Sequence, residues 1–144
     1  MQPGGDMLMP AISRYMTAHP HTIERTATMA EAHRLMRAHL VRHLPVLDQG
    51  KLVGIVTQRD LYLLETIADF DLESVPVGEA MTEQPFSVTS DAPLDEVVAT
   101  MSDKRYGSAI VLGRHGVEGI FTGTDACRAL AEVLAHATSP TALP

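Results

Sequence analysis

The chain has 144 residues, with Lys+Arg 11 against Asp+Glu 18 and a formal net charge of −7, a balance that argues against a nucleic-acid backbone as partner, since that needs a basic face. Three Tyr, three Phe and no Trp are too few for a base-stacking platform, and the single cysteine, Cys127, excludes an internal disulfide framework and fits a reducing compartment. No apolar run approaches the ~18 residues of a membrane span and no basic, apolar leader opens the sequence, so the expectation is a cytoplasmic protein with neither nucleic-acid nor membrane partners.

After an N-terminal segment, 1–11, Thr22 and Ile23 follow Pro20 and read as a very short strand. Met29, Ala32, Met36 and Leu40 then form one apolar stripe of a helix, and Thr28 with Glu31 has capping-box spacing at its start. Leu44–Leu47 and Leu52–Val56 flank Asp48-Gln49-Gly50-Lys51, a hairpin signal. A second helix starts at Thr57 and carries Leu61, Leu64 and Ile67, followed by an acidic, solvated linker, 69–76. The same order returns: a short strand at Ser87–Val88 and a helix with Leu94, Val97, Val98 and Met101 behind Pro93, which suits a first-turn position. A hairpin about Gly113–Gly116 and a last helix with Ala126, Leu130, Val133 and Leu134 complete it, and 137–144 is a tail prone to fraying.

This is a tandem duplication. Ile12–Glu65 aligns with Val77–Leu130 without a gap, with identities that include Met16/Met81, Thr17/Thr82, Pro20/Pro85, Gly54/Gly119, Thr57/Thr122 and Asp60/Asp125. Two copies are too few for an open array, so repeat 1 (12–68) and repeat 2 (77–136), each β-α-β-β-α, are expected to pack face to face around a shared core. Neither is large enough to be comfortably stable alone. The fold class is α/β.

The most specific string is Gly54-Ile55-Val56-Thr57-Gln58-Arg59-Asp60, returning as Gly119-Ile120-Phe121-Thr122-Gly123-Thr124-Asp125. It runs a strand directly into a helix N-terminus, where unpaired N–H groups and the positive end of the dipole suit an anionic or polyol ligand. A carboxylate three residues after the Thr can accept from the vicinal hydroxyls of a ribose, and the Thr hydroxyls can reach sugar or phosphate. Thr-x-x-Asp is equally a plain capping box, and the two readings are compatible.

At this string, at the Met16-Thr17 and Met81-Thr82 openings, and at Arg42-His43-Leu44-Pro45-Val46, the sequence resembles the CBS (cystathionine β-synthase) domain family, as a tandem pair over about residues 12–134. The resemblance implies two pseudo-twofold-related repeats with a cleft that holds an adenosyl ligand such as AMP, ADP, ATP or S-adenosylmethionine. It also implies homodimerisation into a disc, a regulatory role without catalysis or a required cofactor, and an unknown protein partner that reads the ligand state; the chain reads as a stand-alone pair. Carried over, Asp60 and Asp125 would hold ribose hydroxyls, and Thr57 and Thr122 ribose or phosphate. Ile23, Leu44, Pro45, Val88, Ala109 and Ile110 would line an adenine slot. Arg42, His43 and Arg59 would meet phosphate, whereas their counterparts Gly107, Ser108 and Thr124 are uncharged, so the two pockets are expected to differ in their preference for anions.

His39 and His43 have helix-face spacing, but no third or fourth ligand completes a metal set. His33 reads as a partly buried, satisfied histidine, Cys127 as a small core residue rather than a nucleophile, and Met29, Met36 and Met101 as core filler. The apolar positions of the second and last helices read as core or as a dimer surface. Neither a P-loop nor G-x-G-x-x-G is present. The alternative function is a ligand-free homodimeric scaffold whose Thr and Asp residues only cap helices; an enzyme is the weakest reading, because no nucleophile–base pair or metal set assembles.

Overall fold

The computed structural model describes residues 9–67 and 71–137; positions 1–8, 68–70 and 138–144, which belong to the expected N-terminal segment, the end of repeat 1 with the start of the linker, and the tail, lie outside the described residues. The first repeat contains β1 (Thr17–Ala18), β2 (Ile23–Glu24), α1 (Met29–His39), β3 (His43–Asp48), β4 (Lys51–Thr57) and α2 (Gln58–Glu65). The second contains β5 (Thr82–Glu83), β6 (Ser87–Val88), α3 (Leu94–Lys104), β7 (Ser108–Gly113), β8 (Gly116–Thr122) and α4 (Gly123–Ala137).

The helices form where the apolar stripes lie. Met29, Ala32 and Met36 of α1, and Leu94, Val97 and Met101 of α3, are buried. Leu40 departs from the expected stripe: α1 ends at His39, Leu40 takes a left-handed C-cap conformation (φ 55°), and its side chain is 93% exposed. Pro93 stands one position earlier than expected, as the N-cap of α3. The β3–β4 turn places Gln49 and Gly50 at φ 52° and 85°, the left-handed pair that a two-residue hairpin turn requires. Each hairpin has a bulge at the matching place, after Val46 and after Val111, which bends both strands alike.

The two sheets exchange their edges. One runs β2-β3-β4-β5 and the other β1-β8-β7-β6, so each repeat's opening strand is paired with the other repeat's hairpin. Thr17 lies opposite Ile120, and Thr82 opposite Ile55. The segments before each first helix are exchanged too: Leu94 N–H donates to Pro10 O at 2.9 Å, and Met29 N–H to Val75 O at 2.9 Å. The linker is therefore not simply solvated. Its described part accepts from the first turn of α1, and Leu72 and Val75 pack against the first core.

The shared core resolves into three clusters. Val77 joins the first repeat's core around Met29, Leu44 and Val56, while Ile12 and Tyr15 join the second repeat's core around Val97, Ala109 and Phe121. Ile55, Ile110 and Ile120 form a thinner layer between the repeats. Both cores stay incomplete unless the other repeat supplies its opening segment, which is the physical reason that the pair folds as one module.

Of the apolar positions expected on the second and last helices, Leu61 and Leu64 belong to the first core, whereas Ile67, Leu130, Val133 and Leu134 are more than half exposed, as are Tyr62 and Leu63 beside them. Cys127 is exposed as well, contrary to the core reading. His33 is partly buried as expected but not satisfied: its buried Nε2 lies 3.2 Å from Glu65 Oε2 without forming a hydrogen bond, and its ring tilts against Tyr62.

Candidate functional site

The two repeated strings close their helices differently. In the first, Thr57 Oγ1 accepts from Asp60 N–H (3.0 Å) and an Asp60 carboxylate oxygen accepts from Thr57 N–H (2.9 Å), a complete capping box. Gln58 N–H donates to Arg42 O at 2.9 Å. The first-turn N–H groups of α2 that the ligand reading left open are thus partly spent, but Asp60 is only half-buried and its Oδ1 has no donor among the described residues.

In the second string Asp125 is 3% exposed and fully engaged. Oδ2 accepts from Thr122 N–H at 2.9 Å and Oδ1 from Thr17 Oγ1 at 3.1 Å, and the Arg128 guanidinium is paired with Oδ1. Thr17 arrives on the exchanged strand β1, so this lock between repeats exists only because of the swap. A ribose at Asp125 has to displace both Thr17 and Arg128.

Beside the intact box lies a groove of about 580 Å³, to which the first repeat contributes Arg42, His43, Thr57 and Arg59. Tyr62, Leu63 and Thr66 continue along the same helix side, and the second repeat contributes Arg105 and Gly107. His43 reaches across to the second repeat: a Cβ on Gly107 would meet its Nε2 at 3.6 Å. Burial and then the Arg42 charge hold the His43 imidazole below its ordinary range, against the opposing pull of Asp60 and Asp125. A second groove, of about 480 Å³, lies between Arg25, Leu52 and Pro85 and contains none of the expected ligand-binding residues.

A model of the CBS domain matches residues 12–64 and again 77–132. The chain belongs to the CBS domain family. The relatives of this CBS pair include the uncharacterized protein YlbB of Bacillus subtilis, 36% identical over 80% of this chain and 74% of that one, and the CBS domain-containing protein YhcV of the same organism, 29% identical over 78% and 79%. Among solved structures, a putative acetoin utilization protein (AcuB) from Vibrio cholerae superposes with a TM-score of 0.78 at 34% identity, covering 88% of this chain and 94% of its own. The CBS domain pair of protein MJ0100, in complex with 5'-methylthioadenosine and S-adenosyl-L-methionine, gives 0.76 at 26%, covering 86% and 98%.

Of the residues drawn from the resemblance, Arg42, His43, Thr57 and Arg59 come together in this CBS pair, with Asp60 joined to them through the cap. Leu44 and Ala109 turn into the two repeat cores and Ile110 into the layer between them, all fully buried; Pro45 is buried too, and Ile23 nearly so. Such side chains present little surface to an adenine, and what remains available there is the strand backbone. Val88 is half-buried, Ser108 is buried and Thr124 is exposed. Sequence reasoning missed Arg105, Thr17 and Arg128. The Thr17/Thr82 identity was a signal for the second, but Arg105 aligns with Leu40 and gives none.

His39 and His43 do not converge: His39 stacks on His21 at 3.6 Å between ring centroids, while His43 faces Gly107. No cluster of three or more His, Cys, Asp or Glu suited to a metal exists among the described residues, and no described helix is long and apolar enough to cross a membrane.

Proposed function

We propose that this CBS pair is a cytoplasmic, non-enzymatic sensor that binds an adenosyl ligand at the Asp60 end, with ribose hydroxyls on the free side of the Asp60 carboxylate and phosphate in the groove of Arg42, His43 and Arg59. The observation that carries this reading is the half-buried Asp60 carboxylate, which keeps an oxygen without a donor beside an uncompensated basic groove. The adenosyl compounds in the MJ0100 complex support the ligand class. Binding biases the relative angle of the repeats or of the two protomers of a homodimer, and a partner protein reads that angle; this control requires different ligand affinities in the two arrangements.

The test is thermal unfolding with AMP, ADP, ATP, S-adenosylmethionine and 5'-methylthioadenosine. A compound at about 100 times its Kd adds about 2.7 kcal/mol of stability, a clear rise in Tm, and Asp60→Ala abolishes it. No rise with any of the five, with the dimer intact, favours a scaffold instead. The complete engagement of Asp125 is the observation that speaks for the scaffold reading at the other end of the module.

A further inference from the structure

The groove at the first repeat has a basic lining that repeat symmetry does not duplicate. Arg105 enters it from the second repeat, at the position that Leu40 holds in the first. Both residues close their helices in the left-handed conformation, at φ 62° and 55°. The counterparts of Arg42, His43 and Arg59 are Gly107, Ser108 and Thr124. The four basic groups at this end therefore have no basic counterpart at their own equivalent positions, and Arg128, which stands where the lining has Leu63, is paired with Asp125.

No described residue pairs with the three guanidinium groups, although the Asp60 and Asp125 charges act on His43. No carboxylate lines the groove, and Arg42, Arg59 and Arg105 form no ion pair with a described residue, in a chain with 18 acidic residues against 11 Lys+Arg. A guanidinium fork takes two oxygens of a phosphate. A terminal phosphate has only three free oxygens, so one or two forks saturate it, and three forks with an imidazole call for a second or third phosphate.

We propose that this groove is the polyphosphate site of the molecule: it selects a nucleoside di- or triphosphate over a monophosphate, one per chain, and Arg105 is the residue that sets the selection. The nucleoside half of this inference rests on the adenosyl reading; the phosphate half stands on the groove alone.

The decisive experiment is calorimetric titration of the full chain, without divalent cations, with AMP, ATP and inorganic tripolyphosphate, for the wild type and Arg105→Leu. Leu40 shows that leucine is accepted in this backbone conformation, so the variant is a fair test of charge. The wild type is expected to bind ATP at least about tenfold more tightly than AMP, with one ATP per chain, and Arg105→Leu to lower ATP affinity about tenfold while changing AMP by less than about threefold. Equal wild-type affinities for AMP and ATP, an unchanged preference in the variant, or two equivalent ATP sites per chain overturns the inference while leaving an adenosyl ligand in place. Tripolyphosphate that binds as tightly as ATP and weakens in the variant upholds the phosphate site and removes the nucleoside from it. Absence of binding by all three probes overturns both.

Discussion

A Cβ placed on Gly54 would stand 2.6 Å from Met81 Sδ and 2.8 Å from the Thr82 carbonyl oxygen. The glycine of one repeat and the methionine that opens the other are thus two halves of a single contact, and Met16 over Gly119 is its pseudo-twofold copy. Both glycines are required by close approach of the exchanged strand.

The two copies should nevertheless differ in their response to a methyl group. At Gly119 the nearest atoms all belong to the flexible Met16 side chain, whereas at Gly54 a backbone oxygen also stands in the way. Gly54→Ala is expected to destabilise by about 3 kcal/mol and Gly119→Ala by about 1 kcal/mol. Adding Met16→Ala should recover much of the second loss, and adding Met81→Ala little of the first. Urea unfolding of the four variants measures this, and equal rescue at both sites would contradict the exchanged geometry.

Asp125 and Asp60 are separable as structural and ligand-facing groups. Asp125→Ala removes the bonds from Thr122 N–H and Thr17 Oγ1 and the Arg128 pair, with an expected cost of about 2 kcal/mol; Asp60→Ala loses only the carboxylate half of the capping box, about 1 kcal/mol. Chemical denaturation gives the stabilities. The affinity for ATP or S-adenosylmethionine is expected to fall in the Asp60 variant and to persist in the Asp125 variant.

His43 predicts a pH dependence of definite sign. Its folded-state pKa lies below its ordinary value, so below about pH 6.5 the unfolded chain binds the extra proton first. Its contribution to stability is complete above that pH and is lost as the pH falls through the unfolded value toward the folded one. Denaturation curves from pH 7.5 to 5.5 should fall more steeply for the wild type than for His43→Asn. A polyphosphate in the groove favours the imidazolium, so titration at pH 6.5 in buffers of different ionisation enthalpy should show proton uptake on ATP binding.

Leu130, Val133 and Leu134 lie within five residues on α4 and are 56%, 54% and 54% exposed, an apolar strip that a second copy of the chain would cover. Val133→Glu should leave the monomer folded and convert a dimer into a species near the single-chain mass of 15.6 kDa. Light scattering after size exclusion reads the mass directly. A wild type that already runs as a monomer removes the homodimer from the functional reading.

Much of the fold was legible in the sequence because its determinants are local or repeated. The duplication, the apolar stripes of α1 and α3, the Asp48–Lys51 turn and the Thr57 capping box each depend on residues a few positions apart, where periodicity, turn chemistry and capping act. The spacing of Gly54, Thr57 and Asp60 in a repeated string marked the strand-to-helix junction where the Thr57 capping box forms. What the sequence alone could not decide was the exchange of β1 and β5, since two-residue strands have too little pattern to name a partner far along the chain.

That exchange is the same at both ends, with Thr82 opposite Ile55 as Thr17 is opposite Ile120. It brought Thr17 to Asp125, which is also paired with Arg128, the residue at the position where the first repeat has Leu63. It is also the packing of the two repeats that set Arg105 beside His43 and Arg42, although no periodicity links them. Local interactions specified two similar units; long-range packing brought distant side chains together, and the residues that do not repeat, Arg128 against Leu63 and Arg105 against Leu40, made one end a closed joint at Asp125 and the other a basic groove.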